Sequence, residues 1–114
     1  MEIEREIELE APVEDVWSAL TEAEQLEEWY ASDAELEARE GGRARFAWGD
    51  GSERTGTVAE LAPEERLVLE WDDGGRVELA LEPTETGTVV RVRESAPEWS
   101  TALALRALAA CATR

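Results

Sequence analysis

The 114-residue sequence has no histidine, no lysine and no asparagine, and only one cysteine, one phenylalanine and one tyrosine. Without histidine the chain lacks the usual general base at neutral pH, every histidine-dependent catalytic triad and the commonest metal ligand. The lone Cys111 excludes an internal disulfide and a multi-cysteine metal site, and its apolar surroundings indicate a core residue. No loop has the D-x-D-x-D-G spacing of a carboxylate cation site. We therefore expect no metal and no cofactor.

The sequence also lacks a charged-then-apolar leader, a lipidation motif, a linker and an internal repeat. Its longest apolar run contains Arg106 and is shorter than the about 20 residues that a membrane helix needs. The expectation is one domain over residues 1–114, located in the cytoplasm and not in a membrane.

Acidic residues outnumber basic ones by 28 to 11, which gives a formal net charge of −17. Such a surface repels the phosphates of nucleic acids and of anionic lipids, so neither partner is expected. The depleted residue types have AT-rich codons, which indicates the GC-rich genome of a bacterium or archaeon. The alternative is a salt-rich cytoplasm, where screening makes the repulsion of an acidic, lysine-free surface tolerable.

The most apolar stretch lies at the end of the chain, in residues 95–113. Between residues 99 and 112 Arg106 is the only charge, so a helix here is apolar on all sides and must be enclosed by the rest of the protein. Ser95 and Glu98 match an S-x-x-E capping box, which predicts where the helix begins. At about 1.5 Å per residue its length is roughly 25 Å.

Seven other stretches alternate between polar and apolar residues, as half-buried strands do. In the first, glutamates occupy one face, and Arg5 interrupts the apolar row of the other. Arg5 either pairs with a carboxylate at the sheet edge or anchors an anionic ligand. Short turns separate most of the strands, so neighbours should be antiparallel. The predicted strands are residues 1–10, 34–38, 43–48, 53–61, 66–71, 76–82 and 88–94.

Two short helices are predicted between the first and second strands. Apolar residues recur at helical spacing in residues 13–20. Thr21 and Glu24 match a T-x-x-E capping box, which predicts that a second helix begins there. Trp29 and Tyr30 stand at the end of that helix, either in the core or at the rim of a pocket.

These elements predict an α+β fold, because neither the sheet nor the final helix can bury its apolar surface alone. A seven-stranded antiparallel sheet should curve around the C-terminal helix. Gly41, Gly42 and Gly56 are candidate positions for the bends that this curvature requires.

The order of elements resembles the helix-grip fold of the SRPBCC, or START-like, superfamily. Within it, the residues are similar to the branch of the activator of heat-shock-protein-90 ATPase homologue. The resemblance implies the binding of a small apolar or amphipathic molecule, since members of the superfamily bind or transform varied apolar molecules. The matching stretches are residues 11–21, 26–30, 41–43, 50–51, 56–58, 63–68, 81–84 and 97–99.

The sequence departs from the family pattern in several places. Ala23 stands where the family often carries proline, and the short final helix implies a small cavity. The chaperone-activating relatives work with an additional domain that is missing here, which argues against a cochaperone role.

The expected binding site lies between the curved sheet and the C-terminal helix. Aromatic side chains on a concave surface favour a flat or sterol-like apolar ligand, although the same residues would also fill a core without a cavity. We expect a monomer or weak homodimer. The candidate ligand-binding residues are Trp29, Tyr30, Phe46, Trp48, Leu69, Trp71, Val90, Trp99 and Leu103.

Two other functions remain open. One is a cyclase- or hydrolase-like enzyme, in which a buried carboxylate acts as general acid or base beside an arginine. The other is a stress-response or cochaperone-like protein-interaction module with a closed cavity. No catalytic residue is assigned, because alternation places strand carboxylates such as Glu70 on the outer face. The candidates considered are the acids Glu60, Glu70 and Glu94 and the arginines Arg43, Arg45, Arg54 and Arg91.

Overall fold

The computed structural model describes residues 2–95 of the chain, with side chains from residue 4 onward. The predicted C-terminal helix, with its candidate residues Trp99 and Leu103, lies outside the described residues. The elements are β1 (Glu2–Leu9), α1 (Val13–Thr21), α2 (Ala23–Trp29), β2 (Asp33–Leu36), β3 (Arg43–Ala47), β4 (Glu53–Ala62), β5 (Arg66–Trp71), β6 (Arg76–Pro83) and β7 (Thr88–Ser95).

The seven strands form one antiparallel sheet in the order β1-β7-β6-β5-β4-β3-β2. After β1 the chain crosses through the two helices to the far edge of the sheet, and it then returns strand by strand until β7 pairs with β1. The register of β4 shifts once, between Val58 and Glu60. This architecture confirms the predicted α+β class and the helix-grip order of elements.

Alternation gives the sheet a buried inner face. On β5 the inward residues Leu67, Leu69 and Trp71 are buried, and on β6 Val77 and Leu79 continue the same layer. These side chains join those of the helices in one hydrophobic core. At about 25 cal/mol per Å² of apolar surface, this burial is the main force that holds the sheet and helices together.

The outer face carries charged side chains that pair across strands. Because both partners are largely solvent-exposed, each pair stabilises the fold by at most about 1 kcal/mol. Examples are Glu4–Arg93, Glu6–Arg91, Glu60–Arg66 and Glu70–Arg76.

Arg5 does not form the predicted ion pair with a carboxylate at the sheet edge. It is exposed, and it forms no ion pair within the part of the chain that the structure describes. The reason is its position in the register: β1 is an edge strand, and the residue opposite Arg5 on β7 is Val92, which offers no carboxylate.

The two helices cover part of the inner face. Val16, Ala19 and Leu20 of α1 are buried, and so is Leu26 of α2. Neither these helices nor any other within residues 2–95 is long and apolar enough to cross a membrane.

The predicted capping box at Thr21 is wrong. Helix α1 continues through Thr21, whose hydroxyl donates to the carbonyl oxygen of Trp17 four residues earlier, at 2.8 Å. The N-cap of α2 is Glu22, which has an extended backbone and makes no side-chain capping bond. A threonine in a last helical turn satisfies its hydroxyl locally, and it is then unavailable to cap the next helix.

Candidate functional site

A small apolar cavity lies between the helices and the inner face of the sheet. Its volume is about 40 Å³, well below the 300 to 1,000 Å³ or so that is typical of ligand pockets. Its described lining is hydrophobic or aromatic throughout. The lining residues are Leu20, Leu26, Trp29, Tyr30, Leu36, Phe46, Leu67, Leu69, Trp71, Val77 and Leu79.

The helical side of the cavity is held by a hydrogen bond between the two helices. The indole N–H of Trp29 donates to the carbonyl oxygen of Ala19 at 2.7 Å. Near the end of a helix such a carbonyl has no intrahelical partner, so the bond satisfies a group that would otherwise be orphaned. It fixes the Trp29 ring against the cavity.

Five aromatic side chains form a connected cluster around this cavity. The Tyr30 ring centre lies 5.3 Å from that of Trp29, 5.1 Å from that of Phe46 and 5.5 Å from that of Trp48. The Phe46 and Trp71 centres are 5.8 Å apart, and the rings meet nearly edge to face. The indole N–H of Trp48 also donates to the carbonyl oxygen of Tyr30 at 2.7 Å. These contacts make one rigid aromatic wall.

The structure divides the predicted ligand-binding residues into groups. Trp48 contacts Tyr30 but is not part of the described cavity lining, and Val90 is fully buried in the β7 layer away from it. Trp99 and Leu103 lie outside the described residues. The candidates that line the cavity are Trp29, Tyr30, Phe46, Leu69 and Trp71.

Except for Leu69, the aliphatic residues of the lining were not among the predicted ligand-binding residues. Alternation marked the strand residues as inward, and the helical stripe marked Leu20, but nothing in either pattern separates a cavity wall from ordinary core. The lining residues missed in this way are Leu20, Leu26, Leu36, Leu67, Val77 and Leu79.

Among the charged residues of the enzyme hypothesis, only Arg54 and Glu94 lie on the inner face, where they are 5% and 3% exposed. Glu60 and Glu70 both point outward into ion pairs, as alternation predicted for Glu70, so neither is a buried acid. The outward-facing candidates and their partners are Glu60 with Arg66, Glu70 with Arg76, Arg43 with Asp72, Arg45 with Asp33 and Glu53, and Arg91 with Glu6 and Glu82.

The buried Arg54 stacks on the aromatic wall. Its guanidinium carbon lies 4.3 Å from the centre of the Trp71 ring, within the range of a cation–π contact. Asp73 is an acidic partner at 3.4 Å from both Nε and Nη2, and its side chain is about half exposed. A positive charge therefore lies directly behind a residue that lines the apolar cavity.

Tyr30 places the one hydroxyl group on the described lining. Burial raises the pKa of Tyr30 to about 12, while the charge of Arg54 lowers it and that of Glu94 raises it further. The phenol therefore stays protonated, and able to donate a hydrogen bond, throughout the physiological pH range.

A wider depression on the outer face, of about 280 Å³, differs chemically from the apolar cavity. Charged residues of β1, β6 and β7 surround it, and Glu4 and Glu6 there are ion-paired with Arg93 and Arg91. These walls suit neither an apolar ligand nor a metal: within residues 2–95, no group of three or more acidic or cysteine side chains is placed to hold a cation.

Comparison with known proteins gives one family. A family model described as Activator of Hsp90 ATPase homolog 1-like protein matches residues 10–111. No functionally curated protein matches the sequence.

Solved structures with the same fold are numerous. A Mesorhizobium loti protein superposes with a TM-score of 0.90 at 22% identity, over 100% of this chain and 98% of its own. The AHSA1-like protein from Aeromonas hydrophila gives 0.77 at 25% identity, over 99% and 87%. The Aha1 dimer from Colwellia psychrerythraea gives 0.76 at 24% identity, over 83% and 75%. These similarities establish a shared fold and leave the ligand to be argued from the site.

Proposed function

The chain belongs to the Activator of Hsp90 ATPase homolog 1-like family, and from this premise we propose that it binds a small apolar or amphipathic molecule in the cavity between the helices and the sheet. The observation that carries the proposal is the aromatic wall, in which Trp29, Tyr30, Phe46 and Trp71 border a cavity whose described lining includes no charged side chain. Rigid aromatic rings bind apolar ligands while losing little conformational entropy.

The volume of the cavity limits what enters it. With about 40 Å³ free, a ligand has to displace or rotate lining side chains, so a compact, flat molecule is favoured over a long lipid. A buried phenyl-sized group contributes about 4 kcal/mol, part of which the loss of ligand freedom offsets. We therefore expect dissociation constants in the millimolar range for simple probes.

The proposal is tested by titrating the protein with flavonoids, polyketide-like aromatics and lipids. Tryptophan fluorescence and amide NMR shifts report binding, because Trp29 and Trp71 line the cavity. The expected result is a saturable change whose largest amide shifts fall on residues of the cavity lining. If every compound leaves both spectra unchanged, the binding proposal is wrong.

Two leucine variants locate the site. Leu69→Ala enlarges the cavity, whereas Leu81→Ala removes the same volume from a buried inner-face position that is not part of the described lining. Each should destabilise the fold by about 2 to 5 kcal/mol, so circular dichroism must first show that both remain folded. Leu69→Ala should bind the larger aromatics more tightly, and Leu81→Ala should bind them as the parent protein does. Equal effects of the two changes would place the ligand elsewhere.

A protein-interaction module is the second candidate, and the small cavity favours it. An inner face that is already nearly filled has little room for a ligand, and a net charge of −17 suits a basic partner surface. The test is the ATPase rate of a purified bacterial Hsp90-type chaperone with and without this protein. Stimulation that saturates with protein concentration and weakens with salt would support this role, and an unchanged rate would exclude it for that chaperone.

The oligomeric state is part of the proposal. One structural neighbour is described as a dimer, and we propose that this chain is a monomer or a weak homodimer. Light scattering over a range of protein concentrations and salt concentrations tests this, because self-repulsion between chains of charge −17 should weaken association at low ionic strength.

A further inference from the structure

The strand β1 lies at one edge of the sheet, with β7 as its neighbour, and it spans eight residues. The opposite edge, β2, has four residues, and the backbone N–H of Ala34 there donates to the carboxylate of Glu27 on α2 at 3.1 Å. Within residues 2–95, no side chain bonds to the backbone of β1 in this way. A long edge with free hydrogen-bonding groups is a template on which another strand can pair.

The register shows which backbone groups of β1 are free. The N–H of Thr84 donates to the carbonyl oxygen of Gly87 at 2.8 Å, and these residues continue the pairing of β6 with β7, which runs without a shift. Hydrogen-bonded pairs recur at every second residue of an antiparallel ladder, so the odd-numbered residues of β7 bond to β6 and the even-numbered ones bond to β1. Opposite these even-numbered residues lie the odd-numbered residues of β1. Glu4, Glu6 and Glu8 therefore point their N–H and C=O groups away from the sheet.

The side chains along this edge carry charges of both signs, one sign on each face. Glu4, Glu6 and Glu8 are exposed on the outer face, and Arg5 is exposed on the inner face. Glu4 pairs with Arg93 at 2.9 Å and Glu6 pairs with an arginine of β7 at 3.1 Å, whereas Glu8 and Arg5 form no ion pair within residues 2–95. A strand added here would place its side chains about 5 Å from these charges, so opposite charges would stabilise the pairing and like charges would weaken it.

The outer face has room for long basic side chains beside this edge. The depression of about 280 Å³ reaches β1, where Glu4 and Glu6 line it, and it continues over Ala80 to Glu78. Arginine or lysine side chains that extend from an added strand over β1 would enter a depression with three carboxylates in its walls.

A second copy of β1 does not suit this edge. Because only the even-numbered residues have free backbone groups, antiparallel pairing of two copies would set glutamate against glutamate. The net charge of −17 adds repulsion between the two chains. The charges therefore favour an edge or segment that is basic.

We propose that β1 is a docking edge, to which an extended basic segment of another protein adds antiparallel as an eighth strand. Arginine or lysine of that segment lies opposite Glu4, Glu6 and Glu8. An acidic residue lies opposite Arg5, and an apolar residue lies opposite the half-buried Ile7. This role is independent of the apolar cavity and of any ligand in it.

Two peptides of identical composition test the proposal at an ionic strength of about 0.15 M, where long-range attraction is screened. The matched peptide is acetyl-Thr-Arg-Val-Arg-Glu-Arg-Thr-amide, whose central five residues face Glu8 to Glu4 in antiparallel order. The scrambled peptide is acetyl-Thr-Val-Glu-Arg-Arg-Arg-Thr-amide, which has the same charge but no alternation. Amide NMR titration should give about tenfold tighter binding of the matched peptide.

Methylation of single peptide nitrogens separates strand pairing from charge attraction. In the proposed register, the N–H of the central arginine bonds to Glu6, whereas the N–H of the valine opposite Ile7 points away from the sheet. N-methylation of the arginine should weaken binding about threefold or more, and N-methylation of the valine should have little effect. On binding of the unmodified peptide, the exchange of the Glu4, Glu6 and Glu8 amides should slow.

Three variants of the protein complete the test. Glu8→Gln removes a charge and keeps the backbone N–H, and it should weaken binding of the matched peptide about threefold. Glu8→Pro also removes the free N–H, which an edge strand tolerates, and it should bring the affinity down to that of the scrambled peptide. Glu85→Gln, at an exposed turn, is the control for net charge and should bind as the parent does.

Equal binding of the matched and scrambled peptides, or of the two methylated peptides, would overturn the proposal, and so would no binding at all. Slow exchange of the Glu4, Glu6 and Glu8 amides in dilute free protein would also overturn it, because the chain itself would then cover the edge. Slowing that depends on protein concentration alone would assign the edge to a second copy. Should Glu8→Pro not fold, the methylated peptides still decide. None of these outcomes bears on the cavity, which the aromatic panel tests separately.

Discussion

The indole nitrogen of Trp29 and the carbonyl oxygen of Ala19 are 2.7 Å apart, and the hydrogen bond between them joins α2 to α1. The two helices are short, with nine and seven residues, and this partly buried hydrogen bond helps to set their relative position. Because Trp29 also lines the cavity, the same bond determines the shape of its helical side.

Replacing Trp29 with Phe keeps an aromatic ring and removes the donor. The carbonyl of Ala19 then loses its partner, and we expect the free energy of unfolding to fall by about 1 to 2 kcal/mol. Urea denaturation followed by circular dichroism measures the change. Trp17→Phe is the control, since the half-buried Trp17 side chain makes no indole hydrogen bond within residues 2–95. Equal losses in the two variants would show that the bond adds nothing to stability.

Gly56 allows β4 to approach β5 closely beside the cavity wall. A Cβ atom at this position would lie 2.6 Å from the carbonyl oxygen of Glu70 and 3.0 Å from the Trp71 ring. Gly56→Ala should therefore destabilise the protein by about 1 to 3 kcal/mol, because backbone atoms have to move. Gly49→Ala is the control, since its nearest neighbour would be 3.8 Å away. Chemical denaturation of both variants tests this, and a neutral Gly56→Ala would contradict it.

Tyr30 is the only tyrosine, so its titration is visible without assignment. Burial raises its pKa from 10.0 to about 12. The corresponding stability is present below pH 10 and is lost as the pH rises from 10 toward 12, because the unfolded chain ionises first. Tyrosinate absorbance should show a midpoint near 12 in the folded protein and near 10 in urea. A folded-state midpoint near 10 would mean that the phenol is solvated.

Asp72 makes a network on the outer face. It accepts hydrogen bonds from Arg43 at 2.7 Å and from the hydroxyl of Thr55 at 2.6 Å, and these hold its pKa at about 2. Since the unfolded-state value is higher, the network stabilises the fold above pH 4, and this contribution is lost as the pH falls toward 2.

Asp72→Asn should therefore be less stable than the parent at neutral pH and should lose less stability on acidification between pH 4 and 2. Thermal unfolding over this range tests both statements. Glu85→Gln, at an exposed turn position without an ion pair within residues 2–95, should follow the parent curve. Parallel acid profiles for Asp72→Asn and the parent would refute the role of the network.

The strands were predictable from alternation because one face of the sheet packs against the hydrophobic core and the other faces water. The predicted and observed limits of β5 agree, and those of β3, β4, β6 and β7 differ by one residue. The exception is the second strand, predicted over residues 34–38, which ends at Leu36. A turn follows in which Glu37 accepts from the backbone N–H of Arg43. The alternation of polar and apolar residues continues through the turn in the sequence. The pattern alone therefore does not show where the backbone pairing of the second strand with its neighbour ends.

The sequence by itself determined the order of elements, the two faces of the sheet and the family, because each depends on local alternation, helical spacing and turn residues. Only the tertiary structure decided which charges are buried. Arg54 and Arg45 both lie on strands of the same hairpin, yet Arg54 points inward onto Trp71 and Arg45 points outward to Asp33. The tertiary structure also decided the size of the cavity, since the free volume is the small difference between the space the backbone encloses and the side chains that fill it.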